Sequence, residues 1–295
     1  MNILILGGDG MLGHAVAREA VNCGLRTAVT VRGDTARTPL PETAKVFCGI
    51  DARRLGHIAA AMEAHRADAV VNAIGVVKGG SGVRNVALAH MVNTILPHRL
   101  ARHCEERGVR LIHVSTDCVF DGTRGAYRES DPISPIDAYG RTKADGEPKG
   151  TGVLTLRTSM VGLPGAAGRG LLGWFLGARG EVDGYTRATF SGPTTLELAR
   201  IICAIVASEA VREGLYHVAA EPITKYKLLE TVRDAFGLDT RILPKPSPVI
   251  DRSLDGSRFA HQTGYVAPSW PAMIEELARL RRAQVAFHGF GRAAA

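Results

Sequence analysis

Short unbroken apolar runs alternate with longer helical patterns through the first half of the chain. Asn2–Leu6 reads NILIL, with no polar position inside the run, as a strand covered on both faces should. Helical periodicity follows from about Met11 to Cys23 and stops at Gly24, a residue suited to the left-handed position after a helix. Arg26–Val31, Ala67–Gly75, Val109–Ser115 and Gly152–Gly162 repeat the strand signal, with helical segments between them. That alternation predicts βαβ units, an α/β class and a doubly wound parallel sheet.

After Gly162 the rhythm breaks. Leu163–Gly192 is rich in glycine and carries aromatics, and reads as an insertion with one short helix near Gly170–Ala178. A clear helix returns at Pro193–Ala210, then a strand at Gly214–Ala219, a helix at Thr224–Gly237 and a last helix at Ser269–Gln284 capped by Ser269. The division this predicts is a nucleotide-binding domain over 1–160 with about 190–220, and a smaller substrate lobe over 161–189 and 221–285. The tail 286–295 is expected to fray.

At 295 residues the chain can bury a substantial core. Its net charge of +7 comes from scattered basic residues, without the basic–aromatic clusters of a nucleic-acid surface. Such a surface still favours an anionic small substrate. Five cysteines form no C-x-x-C pair, so a reducing cytoplasm is expected and a disulfide framework or metal site is not. The opening apolar run is too short for a signal peptide, and no run of roughly eighteen apolar residues predicts a membrane span.

GGDGMLG places Gly7, Gly10 and Gly13 directly after the first strand, with Met11 and Leu12 opening the helix. Glycines there allow a tight turn and close approach of backbone to a pyrophosphate, which the helix N-terminus attracts; this is the Rossmann-type arrangement. The same spacing recurs at Gly162, Gly165 and Gly168. Only the first is followed by the rest of a nucleotide-binding half, so the second is read as a mobile substrate-side loop. After the second strand comes Arg32, where an acid would grip the ribose of NAD. A guanidinium suits a 2′-phosphate, which favours NADP; Asp34, two residues on, is the group that would reach a ribose instead.

Ser115–Lys143 begins at a strand end and finishes in a helix. Of the six tyrosines only Tyr139 has a lysine four residues on, Lys143, and on a helix the two share a face. A lysine charge beside a phenol is expected to lower its pKa. The phenol can then pass a proton to a carbonyl oxygen as hydride arrives, with Thr116 or Ser115 polarising the same oxygen. The plainer alternative is an amphipathic helix edge.

Together GGDGMLG, NAIG, STDCVFDG, YRESDPISPIDAYGRTKADGE and LRTS resemble the extended short-chain dehydrogenase/reductases, above all the branch of dTDP-4-dehydrorhamnose reductases and their relatives. The resemblance is dense to about Thr158 and thinner in FSGPTTLELARII and DRSLDGSRF. It implies a catalytic trio of Thr116, Tyr139 and Lys143, with Lys143 also on the nicotinamide ribose. It implies that Asn93 orders the site, that Asp51 lies near the adenine, and that Ala73, Gly75 and Ser115 line the cofactor pocket. Cys118 stands where the reductase pattern usually has tyrosine, facing the sugar. The acids of a dimer-bridging magnesium are not matched, so no metal is expected.

Asp117, Cys118, Trp174, Arg187 and Arg252 are the candidate substrate contacts, with Tyr185 and Asp255 in the same lobe. Trp174 either stacks on a ligand or anchors its short helix in the core. Arg252 either meets a diphosphate or pairs with Asp255. His113 reads as a satisfied core histidine, and Glu129–Ser134 as a loop over the entrance. The resulting expectation is an NADPH-dependent reductase of a 4-keto-6-deoxy nucleotide sugar, a homodimer in deoxysugar or polysaccharide biosynthesis. A nucleotide-sugar epimerase and a non-catalytic regulatory or binding subunit are the alternatives.

Overall fold

Seven parallel strands form the main sheet of the computed structural model, which describes residues 1–77, 85–165, 170–208 and 210–293. They are β1 (Asn2–Leu6), β2 (Arg26–Thr30), β3 (Lys45–Phe47), β4 (Ala69–Asn72), β5 (Arg110–Val114), β6 (Val153–Arg157) and β9 (Gly214–His217). Their order is β3-β2-β1-β4-β5-β6-β9, so the direction of winding reverses between β1 and β4. Helices α1 (Met11–Asn22) and α7 (Thr195–Ala207) cover one face; α2 (Leu55–His65) and α4 (Leu96–Glu105) cover the other.

The strand alternation explains the unbroken apolar runs. Ile3, Ile5, Ile112 and Leu154 pack with Val16, Ala20, Leu198 and Ile202 on the α1/α7 side. Leu4, Leu6, Val70 and Leu111 pack with Ile58, Met62 and Leu100 on the other. Each such side chain fully buried contributes roughly 1.5–3 kcal/mol, so neither face tolerates a polar residue cheaply. Ligands of such sheets bind outside the strand carboxyl ends at the reversal, which here is the end carrying Gly7 and Ala73.

A smaller lobe surrounds α6 (Leu171–Gly177), α8 (Lys225–Phe236) and α10 (Trp270–Ala293). β7 (Glu181–Tyr185) pairs with β11 (Arg241–Lys245), and β8 (Ala188–Phe190) lies between β10 (Ile223–Thr224) and β12 (Ile250–Asp251). Phe175, Phe190, Leu228, Ile242, Trp270 and Ile274 share an apolar cluster there. The backbone of α10 is helical to Ala293.

Two crossing segments tie the lobe to the sheet. The loop after β5 runs beside residues 250–255, with Asp251 N donating to Gly122 O (2.7 Å), Tyr127 N to Ser253 O (3.0 Å) and Asp255 N to Tyr127 O (2.7 Å). The helix that follows, α9 (Ser257–Thr263), begins just after Gly256, which lies against His217 and Ala219 at the end of β9.

Candidate active site

The glycine turn is built by exclusion of side chains. A Cβ on Gly13 would stand 2.2 Å from Gly7 O, and Gly10 N donates back to the same carbonyl at 2.9 Å. Gly10 caps α1 with no side-chain hydrogen bond, leaving the first N–H groups of the helix for a ligand. The cradle therefore fits a dinucleotide pyrophosphate. Met11 is half-buried beside it and Leu12 belongs to the core. Ala73 N reaches Leu6 O at 3.3 Å, and Gly75 is exposed next to Asn93.

Arg32 is exposed at the end of β2 and has no ion-pair partner among the described residues. Arg37 is engaged instead: its N–H donates to Asp9 Oδ1 at 2.8 Å, and its guanidinium lies 3.6 Å from Asp9 Oδ2. Asp51 is gripped by Arg53 at 2.6 Å, which holds its carboxyl down to about 2. The second glycine motif is not remote from the first. Gly165 lies against Asp9 and Met11, with Cβ positions 3.2 and 3.4 Å from Asp9 O and Met11 N; Gly168 falls outside the described residues. Its first half thus borders the glycine turn, which spacing alone did not reveal.

Asp137 caps the short helix α5 (Ala138–Ala144) by accepting from Gly140 N at 2.8 Å. The helix carries Tyr139 and Lys143 on one face. It packs so tightly on the turn Asp117–Val119 that a Cβ on Gly140 would lie 2.2 Å from Cys118 O. Tyr139 is thereby placed to hydrogen bond with the Thr116 hydroxyl, near Cys118 and Asp117.

Burial is the largest influence on the Tyr139 phenol and pushes it well above its ordinary value, against the lowering expected from the lysine; the Thr116 hydroxyl opposes it. The Lys143 ammonium donates instead to Val114 O at 2.7 Å, and burial pulls its pKa down to about 8. Position i+4 put both residues on one face but did not say where the ammonium points.

Two residues from a π-helical turn, Met91–Ile95, brace α5. This turn sits between α3 (Val86–His90) and α4. Asn93 accepts from Val76 N (2.8 Å) and donates to Val76 O (3.0 Å) and Thr142 Oγ1 (3.2 Å); Thr94 Oγ1 donates to Thr142 O (2.8 Å). The approach is possible because residue 146 is glycine, whose Cβ would stand 1.7 Å from Asn93 O. Gly146→Ala should cost about 1–3 kcal/mol by overpacking. Calorimetry should therefore show a lower Tm, and an unchanged Tm would refute the closeness of the contact.

Ser115, Asp117 and Cys118 differ in what they can do. The Ser115 hydroxyl donates to Glu147 Oε1 at 2.6 Å and the Thr116 hydroxyl to Asp117 Oδ1 at a longer 3.3 Å, so Thr116 is the less tightly held donor of the two. Burial raises the Asp117 carboxyl, with Ser159, Cys118, Arg252 and Thr116 pulling the other way. Burial, then the Asp117 charge, pushes the Cys118 thiol up to about 11.

Arg252 does not pair with Asp255. Its guanidinium donates to Phe120 O (2.9 Å) and Asp121 O (3.4 Å), while Asp255 pairs with Arg128 at 3.1 Å. Trp174 is no core anchor: it is 50% exposed, and its neighbour Phe175 fills the core at the helical spacing from Leu172. Trp174 instead borders a cavity of about 570 Å³ with Tyr185, Lys225 and Asp183, which none of Ser115–Lys143 lines. Arg187 is exposed. The chain thus gathers Asp117 and Cys118 near Tyr139, with Arg252 on the carbonyls just beyond them, and places Trp174 and Arg187 elsewhere in the lobe.

His113 is buried with Nδ1 against the Asn72 amide at 3.1 Å, but its Nε2 has no partner among the described residues. In the loop before α5 Glu129 accepts from His217 N (2.8 Å) and Asp131 from Arg128 N (2.7 Å). Sequence reasoning missed Glu147 and Arg157, which meet at 2.7 Å and are both nearly buried. The signal was available: an arginine ending the apolar strand VLTLR needs a buried carboxylate.

The model of a protein family described as RmlD substrate binding domain matches residues 1–278. The dTDP-4-keto-6-deoxy-D-glucose reductase of Streptomyces niveus is 33% identical over 199 residues, 64% of this chain and 68% of the relative. The dTDP-4-dehydrorhamnose reductase of Aggregatibacter actinomycetemcomitans is 28% identical over 245 residues, 76% of this chain and 75% of that protein. Among solved structures, the dTDP-4-dehydrorhamnose reductase of Bacillus anthracis str. Ames in complex with NADP superposes with a TM-score of 0.75 at 18% identity, covering 94% of this chain and 98% of its own.

Proposed function

The chain belongs to the RmlD substrate binding domain family, and from that membership we propose that it is an NADPH-dependent reductase of a 4-keto-6-deoxy nucleotide sugar. The observation that carries this reading is the meeting of Thr116 and Tyr139 at the end of β5, with Lys143 on the same short helix. Bound NADPH would supply hydride to the sugar carbonyl. Tyr139, kept protonated by burial, donates the proton that the new alkoxide needs, and Thr116 orients the oxygen. Lys143 holds the nicotinamide ribose. Asp117, Cys118 and Arg252 face the sugar.

Arg32 recognises the 2′-phosphate. A charge-assisted contact of this kind contributes on the order of 1.5–3 kcal/mol, so Arg32→Ala should weaken NADPH binding by about 10–100-fold and leave NADH nearly unchanged. Fluorescence titration of both nucleotides reads this directly; equal binding of NADH and NADPH by the unmodified protein would sink it. Five free thiols suit a reducing cytoplasm, where we place the enzyme as a homodimer, a state that light scattering tests.

The activity is tested by adding a dTDP-4-keto-6-deoxyhexose to the protein with NADPH and following the loss of reduced-nicotinamide absorbance. Stoichiometric loss supports a reductase. Interconversion of sugar epimers with the cofactor unchanged would replace this reading with an epimerase.

A further inference from the structure

Glu147 follows α5 by three residues and turns back under it. Its Oε1 accepts from Ser115 Oγ (2.6 Å) and from Arg157 Nε (2.8 Å), and its Oε2 accepts from Arg157 Nη2 (2.7 Å). Three elements therefore converge on one carboxylate: the end of β5 beside Thr116, the end of β6, and the segment following α5. Ion pairs this enclosed add little net stability, because desolvation offsets most of the attraction. A purely structural account of the pair is accordingly weak, and its position next to the proposed trio requires another.

We propose that Glu147 is a positioning residue of the reductase: it locks the Ser115 hydroxyl away from the substrate and holds Lys143 in its charged form against β5. The proposal rests on the reductase reading for its substrate, but not for its geometry. Lys143 is fully enclosed, and the groups facing it are few. From β5 come Val114 O, to which it donates, and the neutral His113; from α4, His98 is held by Asp145 O at 2.8 Å; the carboxylate that opposes the cost of burial is Glu147, four residues on in the chain and bonded to Ser115, the residue next to Val114. On the far side of Glu147, Arg157 Nη1 reaches His217 Nε2 at 3.4 Å, and His217 N is held by Glu129. Removing the Glu147 charge leaves Lys143 facing burial and the Arg157 cation with nothing to offset them.

The sign follows. Lys143 loses its proton as pH rises through about 8, so the charged form is lost on the alkaline side. Without the carboxylate that loss begins at lower pH. In Glu147→Gln, the alkaline limb of kcat/KM should move down by about one pH unit or more. The pH profile of NADPH binding should move with it, because Lys143 holds the ribose.

NADPH titration from pH 6 to 9.5, at about half-unit steps spanning the range in which a lysine shifted by burial titrates, needs no sugar. It separates failure of this inference from failure of the reductase assignment. Glu147→Met combined with Arg157→Met removes both charges at similar volume and should remain folded. Because the Arg157 cation leaves with the carboxylate, the limb of this variant should still lie below the wild-type position, but by less than in Glu147→Gln. An alkaline limb at the wild-type position in both variants would overturn the proposal. So would a loss of kcat/KM by the same factor at every pH, which is what a merely structural role produces.

Discussion

Tyr139→Phe should lower kcat by about 10²–10⁴, the usual share of a general acid, while NADPH binds almost as before. The substitution keeps the ring and removes only the hydroxyl. Burial raises the phenol pKa, so in the ground state it carries its proton throughout the neutral range. That is the form a ketone reduction requires, since the enzyme must deliver a proton to the oxygen as hydride reaches the carbon. The Thr116 hydroxyl favours the phenolate and so eases that departure, but alone it supplies no proton source of comparable acidity. Steady-state turnover together with a nucleotide titration checks both halves of the expectation. Near-normal turnover in Tyr139→Phe would remove Tyr139 from the mechanism.

The sheet was legible because a strand covered on both faces leaves a mark that needs no context. NILIL, AVVN and LTLR are largely apolar where helices cover them, and the last two end in buried polar residues, Asn72 and Arg157. The small lobe left no such mark. β7 reads EVDGY, with its acids exposed, and β10 and β12 have two residues each, so pairing rather than pattern defines them. β3 is likewise three residues at a sheet edge.

The site was legible in its members but not in its wiring. Spacing placed Tyr139 and Lys143 on one helical face. It could not show that a backbone carbonyl takes the ammonium, because an acceptor at Val114 has no side-chain signature. The π-helical turn that aims Asn93 is a register shift of the backbone, equally invisible. Trp174 illustrates the opposite error. A large aromatic beside phenylalanine invites burial, but a short helix can turn only one of two adjacent residues inward, and Leu172 with Phe175 already defines that face.

The second large expectation separates reduction from dehydration. The nucleotide-sugar 4,6-dehydratases are similar to this chain up to the strand-end hydroxyl, and by that resemblance carry two acids after it. The first protonates the leaving hydroxyl at C6, and the second, a glutamate, takes the C5 proton. Elimination needs both, because a C–H beside a carbonyl is a weak acid and hydroxide a poor leaving group. Here the sequence is Thr116-Asp117-Cys118, and the second acid is replaced by a thiol. Burial and the neighbouring carboxylate push that thiol up to about 11, so at neutral pH it is neither charged nor a competent base. The surrounding carboxylates are occupied. Asp121 accepts from Tyr127 Oη at 2.6 Å, Asp137 caps α5, and Glu147 is held by Ser115 and Arg157. Asp117 itself is buried among hydroxyls, where it suits a sugar hydroxyl as acceptor. Incubated with UDP-, dTDP-, GDP- or CDP-hexoses and catalytic cofactor, the protein should leave each unchanged, while consuming NADPH one for one with a 4-keto sugar nucleotide. Accumulation of a 4-keto-6-deoxy product from any parent hexose, followed by mass spectrometry, would mean that some carboxylate leaves its partner to take the C5 proton, and the reductase assignment would fall with it.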